Sequence, residues 1–212
     1  MKIVLVDDHA VVREGYRALI ARQHDMEVMG EYQEAGTAYN ALKEQPCDII
    51  ITDLNMPGLS ALEMIERLKY RGHQGRCVVF TMYSNSSFAK KSFAAGARGY
   101  VTKSSDPSAL LHGLREVYAG RRYLSADIAQ AAALDRFDST TGALDELTVR
   151  EFEILRLLVD GRSVEDVAES LSLSPKTIRN VHYTVKKKLD VRDDIELVRR
   201  AIQLKVPDTL EF

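Results

Sequence analysis

The stretch DIIITDLNMPG, residues 48–58, decides how the first half of the chain is read. Ile49, Ile50, Ile51 and Thr52 form a short run of β-branched residues that ends on the carboxylate of Asp53, and the chain then turns at Pro57-Gly58. A continuous apolar run of this length suits a strand covered on both faces, as in a parallel sheet. A buried carboxylate is costly unless something pairs with it. Asp53 is therefore either a turn-forming cap or a group held for chemistry.

Similar runs recur on both sides of it, at Ile3–Val6, Val28–Tyr32, Val78–Thr81 and Tyr100–Thr102. Between them the apolar residues take helical spacing: Val12, Tyr16, Leu19 and Ile20 share a face, as do Leu62, Ile65 and Leu68, and Leu110, Leu114 and Val117. Five strand–helix pairs in series over residues 1–120 predict a doubly wound α/β domain with a five-stranded parallel sheet.

Such sheets place their sites beyond the carboxyl ends of the strands. The residues that follow the runs are Asp7-Asp8 after KIVLV, Asp53 after DIIIT, Thr81 closing CVVFT, and Lys103 after GYVT. Three acids, a hydroxyl and a lysine are thus expected at one sheet edge. Carboxylates packed together repel one another. A hard divalent cation with oxygen ligands, Mg²⁺, relieves that repulsion and screens the acids from an incoming phosphoryl group. Asp53 is then a nucleophile that forms an acyl phosphate, Lys103 a point charge for phosphoryl oxygens, and Thr81 a hydrogen-bond donor to one of them. His9 reads as a helix start rather than a ligand.

Residues 125–134 allow one more short helix, and 135–145, DRFDSTTGALD, lose all periodicity. The segment 121–145 is accordingly read as a linker with a short helix. From 146 to 212 no strand pattern occurs. Thr148-x-x-Glu151 opens a helix to about Val159, closed by Gly161; Ser163-x-x-Asp166 opens another to Leu171. Ser174-Pro175, a cap followed by proline at the first helical position, starts a third to Leu189. A fourth spans about Asp193 to Leu204. The short SLSP turn between the second and third predicts a helix-turn-helix in a small all-α domain.

In SPKTIRNVHYTVKKKL, 174–189, Ile178, Val181, Val185 and Leu189 form an inward stripe. Lys176, Asn180, Tyr183 and Lys187 form another face, with Arg179 and Lys186 beside it. Together with Lys188 the stretch has five basic residues and no acid. Lys and Arg neutralise DNA phosphates, whereas Arg and Asn read base edges in the major groove. Thr177 adds a phosphate contact at the helix N-terminus.

The totals bound these readings. The 212 residues suit two domains and carry a net charge of −2, so nucleic-acid binding must come from a local patch. Cys47 and Cys77 lack metal-type spacing and read as buried, reduced and cytosolic. No apolar run approaches the roughly 18 residues of a membrane span, and no leader is expected at the N-terminus.

VLVDDH, TDLNMPG, FTMYS and GYVTK resemble the receiver domain of two-component response regulators over essentially all of residues 1–120. LTVREFEILRLLVDGRSVEDVAESLSLSPKTIRNVHYTVKKKL resembles the effector domain of the NarL/FixJ (LuxR-type) regulators. The resemblance implies a flavodoxin-like receiver on 1–120 and a DNA-binding domain on 146–212. It implies that Asp53 takes a phosphoryl group from a sensor histidine kinase, with Mg²⁺ on Asp8, Asp53 and the Asn55 carbonyl, and Asp7 assisting. Thr81 and Tyr100 become a switch pair, the hydroxyl moving toward the phosphoryl group and the ring following inward. Arg179, Asn180 and Tyr183 are assigned to base reading, and Lys176, Thr177 and Lys188 to the DNA backbone. The implied partners are double-stranded promoter DNA, a second copy of the chain and RNA polymerase, in the cytoplasm, and no membrane.

Some positions depart from the family pattern. Ala61 stands where Gly is frequent, Val181 where His is usual, Glu165 where Lys is common and Asp194 where Arg is common. Residues 145–212 hold 12 Lys and Arg against 14 Asp and Glu, about −2, which predicts weak monomer binding and reliance on two linked copies; the resemblance implies the apolar face of the last helix, Leu197, Ala201 and Ile202, as the dimer surface. Two other readings stand beside this one: a protein-interaction switch that no longer binds DNA, and an aspartyl phosphatase. The phosphatase reading wants a second acid where Asn55 stands and a substrate cap that the chain lacks. A transcription regulator rather than an enzyme is the expectation.

Overall fold

The structure, a computed structural model, describes residues 1–56, 58–134, 142–204 and 206. The chain forms two compact units, Met1–Ala133 and Leu134–Phe212.

The first unit alternates strands and helices: β1 (Lys2–Val6), α1 (Ala10–Ala21), β2 (Glu27–Tyr32), α2 (Ala35–Leu42), β3 (Ile49–Thr52), α3 (Ala61–Tyr70), β4 (Arg76–Thr81), α4 (Ser86–Ala95), β5 (Gly99–Thr102), α5 (Pro107–Tyr118), β6 (Tyr123–Leu124) and α6 (Ala126–Leu134), the last residue of α6 belonging to the second unit. The sheet order is β2-β1-β3-β4-β5-β6, and all pairings are parallel. Every residue of β3 and β5 is buried, as continuous apolar runs demand of strands with helices on both faces. β2, at the edge, instead alternates exposed with half-buried residues. The main core joins Ile3, Leu5, Ile49, Ile51, Val78, Phe80 and Val101 to Leu110, Leu114 and Val117 of α5.

Two sequence expectations need correction. The sheet has six strands, not five. β6 is only two residues long, too short to show as a hydrophobic run, and follows two arginines. It docks because α5 has Gly113 opposite it: a Cβ there would meet the Tyr123 ring at 2.6 Å. On α3 the fully buried face is Ala61, Met64, Ile65 and Leu68, whereas Leu62 is only half-buried at its margin. The i, i+3, i+4, i+7 set wins over the looser spacing through Leu62.

The second unit has a one-turn helix α7 (Gly142–Asp145), then α8 (Val149–Val159), α9 (Val164–Ser170), α10 (Pro175–Lys188) and α11 (Asp194–Gln203). The end of the sequence-predicted linker, 142–145, is thus helical, while 135–141 lie outside the described residues. Both capping boxes form, Thr148 with Glu151 and Ser163 with Asp166. The Ser174 hydroxyl accepts the Thr177 amide at 3.1 Å. Gly161 supplies the left-handed turn after α8, at φ 82°. Between α9 and α10 the same conformation falls on Ser172, φ 54°, and the Leu173 amide reaches back to the Ala168 carbonyl at 2.8 Å. Ile154, Leu157, Val167, Ala168, Leu171 and Ile178 make the core that fixes α8, α9 and α10. Of the expected dimer residues, Leu197 and Ala201 are buried and only Ile202 is exposed, beside Ile195 and Val198. Among the described residues no helix is long and apolar enough to cross a membrane.

Candidate functional site

The strand order reverses between β1 and β3, the switch point at which α/β sheets open a crevice. The residues after these two strands therefore meet. Ligand atoms of Asp7, Asp8, His9 and Asp53 lie within 4.8 Å of one another. β5 brings Lys103 to them: its Nζ is 2.5 Å from Asp53 Oδ2 and 2.8 Å from Asp7 Oδ2. Lys103, Asp53 and Asp7 all have buried side chains. Asp53 Oδ1 accepts the Leu54 amide at 2.6 Å and the Asn55 amide at 3.3 Å. The carboxylate is thus held on both oxygens.

The electrostatics follow from this packing. Burial lowers the affinity of Lys103 for its proton, yet the carboxylates of Asp53 and Asp7 outweigh it and hold its pKa above the usual lysine value. Asp8 is pushed up, first by burial and then by the charges of Asp53 and Asp7, against the pull of His9. Two buried carboxylates share one ammonium, with a third acid beside them. The oxygens present are hard and in excess of positive charge, which is the donor chemistry that a small divalent cation needs.

The sequence brought together Asp7, Asp8, Asp53 and Lys103, and the structure places them at one sheet edge. Thr81 is buried at the end of β4, and its Oγ1 accepts the Tyr83 amide at 3.5 Å. Tyr100 is fully buried, its ring already inside, and its hydroxyl donates to the Tyr83 carbonyl at 2.8 Å. Burial holds that phenol far above its ordinary pKa. The Tyr83 peptide therefore links the two residues. Pro57 lies outside the described residues. His9 occupies the cap position of α1 as expected, but its Nδ1 also lies 2.9 Å from Asp8 Oδ1 and 3.2 Å from Asp7 Oδ1. Arg13, which sequence reasoning missed, donates to the Asp7 carbonyl at 2.5 Å. Its place one helical turn after His9 was the available signal.

In the second unit Ile178 and Val185 face the core, and Lys176, Thr177, Arg179, Asn180, Tyr183 and Lys187 are exposed on α10. Lys187 Nζ lies 4.6 Å from the Tyr183 ring centroid, and neither Lys176 nor Lys187 forms an ion pair with a described residue. The other cations are engaged. Arg179 pairs with Glu165 at 2.7 Å. Lys186 pairs with Asp194 at 2.9 Å, an acid that also meets His182 Nε2 at 3.0 Å. Lys188 binds both Glu151 oxygens, at 2.7 and 2.8 Å, and the Glu146 carbonyl at 3.1 Å. It ties the end of α10 to the capping box of α8.

Comparison with known proteins accounts for both units. Residues 3–115 match the response regulator receiver domain, and residues 145–201 the luxR family of bacterial regulatory proteins. Response regulator UvrY of Escherichia coli is 31% identical over 205 residues, covering 96% of this chain and 94% of that protein. A LuxR-family two-component response regulator from Aurantimonas is 45% identical with a TM-score of 0.62, covering 65% of this chain and 98% of that one. RcsB from Salmonella enterica serovar Typhimurium, bound to promoter P1flhDC in the presence of phosphomimetic BeF3-, is 26% identical with a TM-score of 0.70, covering 94% of this chain and 97% of that one.

Proposed function

The chain belongs to the LuxR-type (NarL/FixJ) response regulators of two-component systems, DNA-binding transcription regulators, and from that premise we propose that Asp53 is its phosphoryl acceptor and that the phosphoryl group controls how α10 engages DNA. The observation that carries the proposal is the buried triad: Lys103 Nζ within 2.8 Å of both Asp53 and Asp7 at the sheet's switch point.

The donor is a phosphohistidine of a sensor histidine kinase. An Asp53 oxygen attacks phosphorus, the P–N bond breaks, and the imidazole leaves with the electron pair. Lys103 exchanges a carboxylate oxygen for a phosphoryl oxygen without losing its negative partner. Asp8, Asp53 and the Asn55 carbonyl, with Asp7 assisting, would hold Mg²⁺, which when bound supplies positive charge against the crowded oxygens. Thr81 turns its hydroxyl to the phosphoryl group and gives up the Tyr83 amide. The Tyr83 peptide holds Tyr100 from its other end, so the change reaches β5. Because the ring is already buried, the switch rests on that hydrogen bond rather than on inward travel of the ring.

Residues 1–120 act as receiver, 121–145 connect, and 146–212 bind DNA. Lys176, Thr177 and Lys187 contact phosphates; Arg179, Asn180 and Tyr183 face the major groove; Lys186 and Lys188 join the backbone contacts only by leaving their acids. Two chains bind one promoter in the cytoplasm, with Ile195, Val198 and Ile202 extending the candidate dimer face, and RNA polymerase as the further partner.

Incubation of the full chain with Mg²⁺ and acetyl phosphate, followed by intact-mass measurement, tests this. One phosphoryl group is expected on the wild type and none on Asp53→Asn, with promoter binding strengthened only in the former and weakened by Arg179→Ala. Labelling that survives Asp53→Asn refutes the assignment.

A further inference from the structure

The turn that carries Lys103 is held from a side that the phosphoryl chemistry does not use. Asp127, in the first turn of α6, receives a hydrogen bond from Thr102 Oγ1 at 2.5 Å on one carboxylate oxygen and from Ser105 Oγ at 3.2 Å on the other. These two hydroxyls bracket Lys103 in the chain. Ser104 Oγ donates to Thr102 Oγ1 at 3.2 Å, and Thr102 and Ser105 lie 2.8 Å apart. Behind them, Ser125 Oγ accepts the Thr102 amide at 3.4 Å, and the Ser125 amide binds the Tyr100 carbonyl at 3.0 Å. Thr102 and Ser125 are fully buried. Although burial opposes it, the Ser125, Thr102 and Ser105 hydroxyls hold the Asp127 carboxyl below its ordinary pKa.

Ser104-Ser105-Asp106 is a run of short polar side chains that compete for local backbone groups and favour several turn conformations. The outside carboxylate selects one of them. We propose that Asp127 is a positioning residue for Lys103: it fixes the β5–α5 turn so that the ammonium is aimed at Asp53 before a phosphoryl group arrives. This rests on the reading of Asp53 as phosphoryl acceptor. Supporting groups of this kind commonly change function about 10- to 100-fold when removed. The same carboxylate belongs to α6, so this helix is fastened to the turn that carries the lysine.

The test is a kinetic cycle on the full chain, with acetyl phosphate and Mg²⁺ and the rate of residue-53 phosphorylation read by intact mass. Asp127→Ala is expected to slow the wild type about tenfold, and Asp127→Asn, which keeps an acceptor oxygen for Thr102, to restore most of the rate. Lys103→Ala slows the reaction further, and adding Asp127→Ala to it costs nothing more. A general loss of fold would instead multiply the two effects. Should Asp127→Ala fail to fold, as circular dichroism reports, Ser105→Ala takes its place in the cycle. Wild-type kinetics in Asp127→Ala, or independent losses in the cycle, overturn the positioning role while leaving Asp53 as acceptor. A wild type that gains no phosphoryl group overturns the acceptor reading and this inference with it.

Discussion

Replacing Lys103 by Met should destabilise the first unit strongly, and magnesium should return part of the loss. Lys103 Nζ contacts Asp53 at 2.5 Å and Asp7 at 2.8 Å, and all three side chains are buried. At an effective dielectric near 20 each contact amounts to about 6–7 kcal/mol of gross attraction. Most of that offsets the desolvation of the charges, but removing one partner leaves the others buried and uncompensated, which costs about 3–5 kcal/mol. For a unit of this size that lowers the midpoint of its thermal transition by about 10–15 °C. Asp53→Asn should behave oppositely. It leaves one Lys103–Asp7 pair and removes a like charge beside Asp8, so stability should hold or rise by about 1 kcal/mol. Thermal unfolding of the full chain in EDTA and then in Mg²⁺, followed by calorimetry so that the two units resolve, measures both effects. Mg²⁺ should raise the Lys103→Met midpoint more than the wild-type one, because a divalent cation takes up the charge the lysine supplied. Equal midpoints for the variant and wild type in EDTA, or equal shifts with Mg²⁺, would refute the account of Lys103 as counter-ion to a cation site.

Three further outcomes concern the second unit. Lys187→Ala should weaken binding about uniformly across promoter sequences and reduce the salt slope by about 1, whereas Arg179→Ala should cost about 1–3 kcal/mol and relax preference at one base pair; binding titrations at several salt concentrations separate the two. Lys188→Met should chiefly lower stability, by about 1–2 kcal/mol, since its ammonium joins α10 to Glu151 and the Glu146 carbonyl; an unchanged unfolding curve with lost DNA affinity would assign Lys188 to DNA alone. The third is a pH effect at His182. Burial is the main cause that holds its pKa below 6.5, despite Asp194. The folded state therefore resists protonation while the unfolded state accepts it, so stability is complete above about pH 6.5 and falls as pH drops below it. His182→Gln should flatten that part of the unfolding-versus-pH profile.

The site was legible because its residues follow strands, and the strands were legible because burial on both faces leaves an uninterrupted apolar signature. Asp7, Asp8, Asp53, Thr81 and Lys103 could thus be gathered at one edge without coordinates. What escaped was carried by contacts that no local pattern encodes. β6 is two residues long, and its docking depends on the missing side chain at Gly113, ten residues earlier. Asp127 lies in the short helix of the segment read as a linker, and its partners are hydroxyls some twenty-five residues away. On α10 the helical projection separated the buried Ile178 and Val185 from the basic positions. It could not show that Lys188 turns back to Glu151, a partner 37 residues distant.

That last point also resolves the charge of the second unit. Residues 145–212 carry more acids than bases, a balance that taken alone disfavours a polyanionic partner. The structure shows where the acids work. Glu151, Asp166 and Glu196 lie in the first turns of α8, α9 and α11, where backbone N–H groups point outward and negative charge is favoured. The side chain of Asp193 caps α11, and Glu153 pairs with Arg150. These charges are spent on holding helices and are distributed around the unit. α10 has no acid in its fourteen residues and presents Lys176 and Lys187 unpaired among the described residues. Among the described residues Glu165, Asp194 and Glu151 pair with its Arg179, Lys186 and Lys188, and on the proposed reading each yields its partner when a phosphate or a base edge arrives. On the proposed reading of α10 as the DNA-facing helix, net charge sets how weakly one copy holds DNA, while the location of the charge sets which face does the holding. A unit built this way gains most from being paired, because two modest faces on one duplex multiply in affinity, and pairing is what a phosphoryl group on the first unit can control.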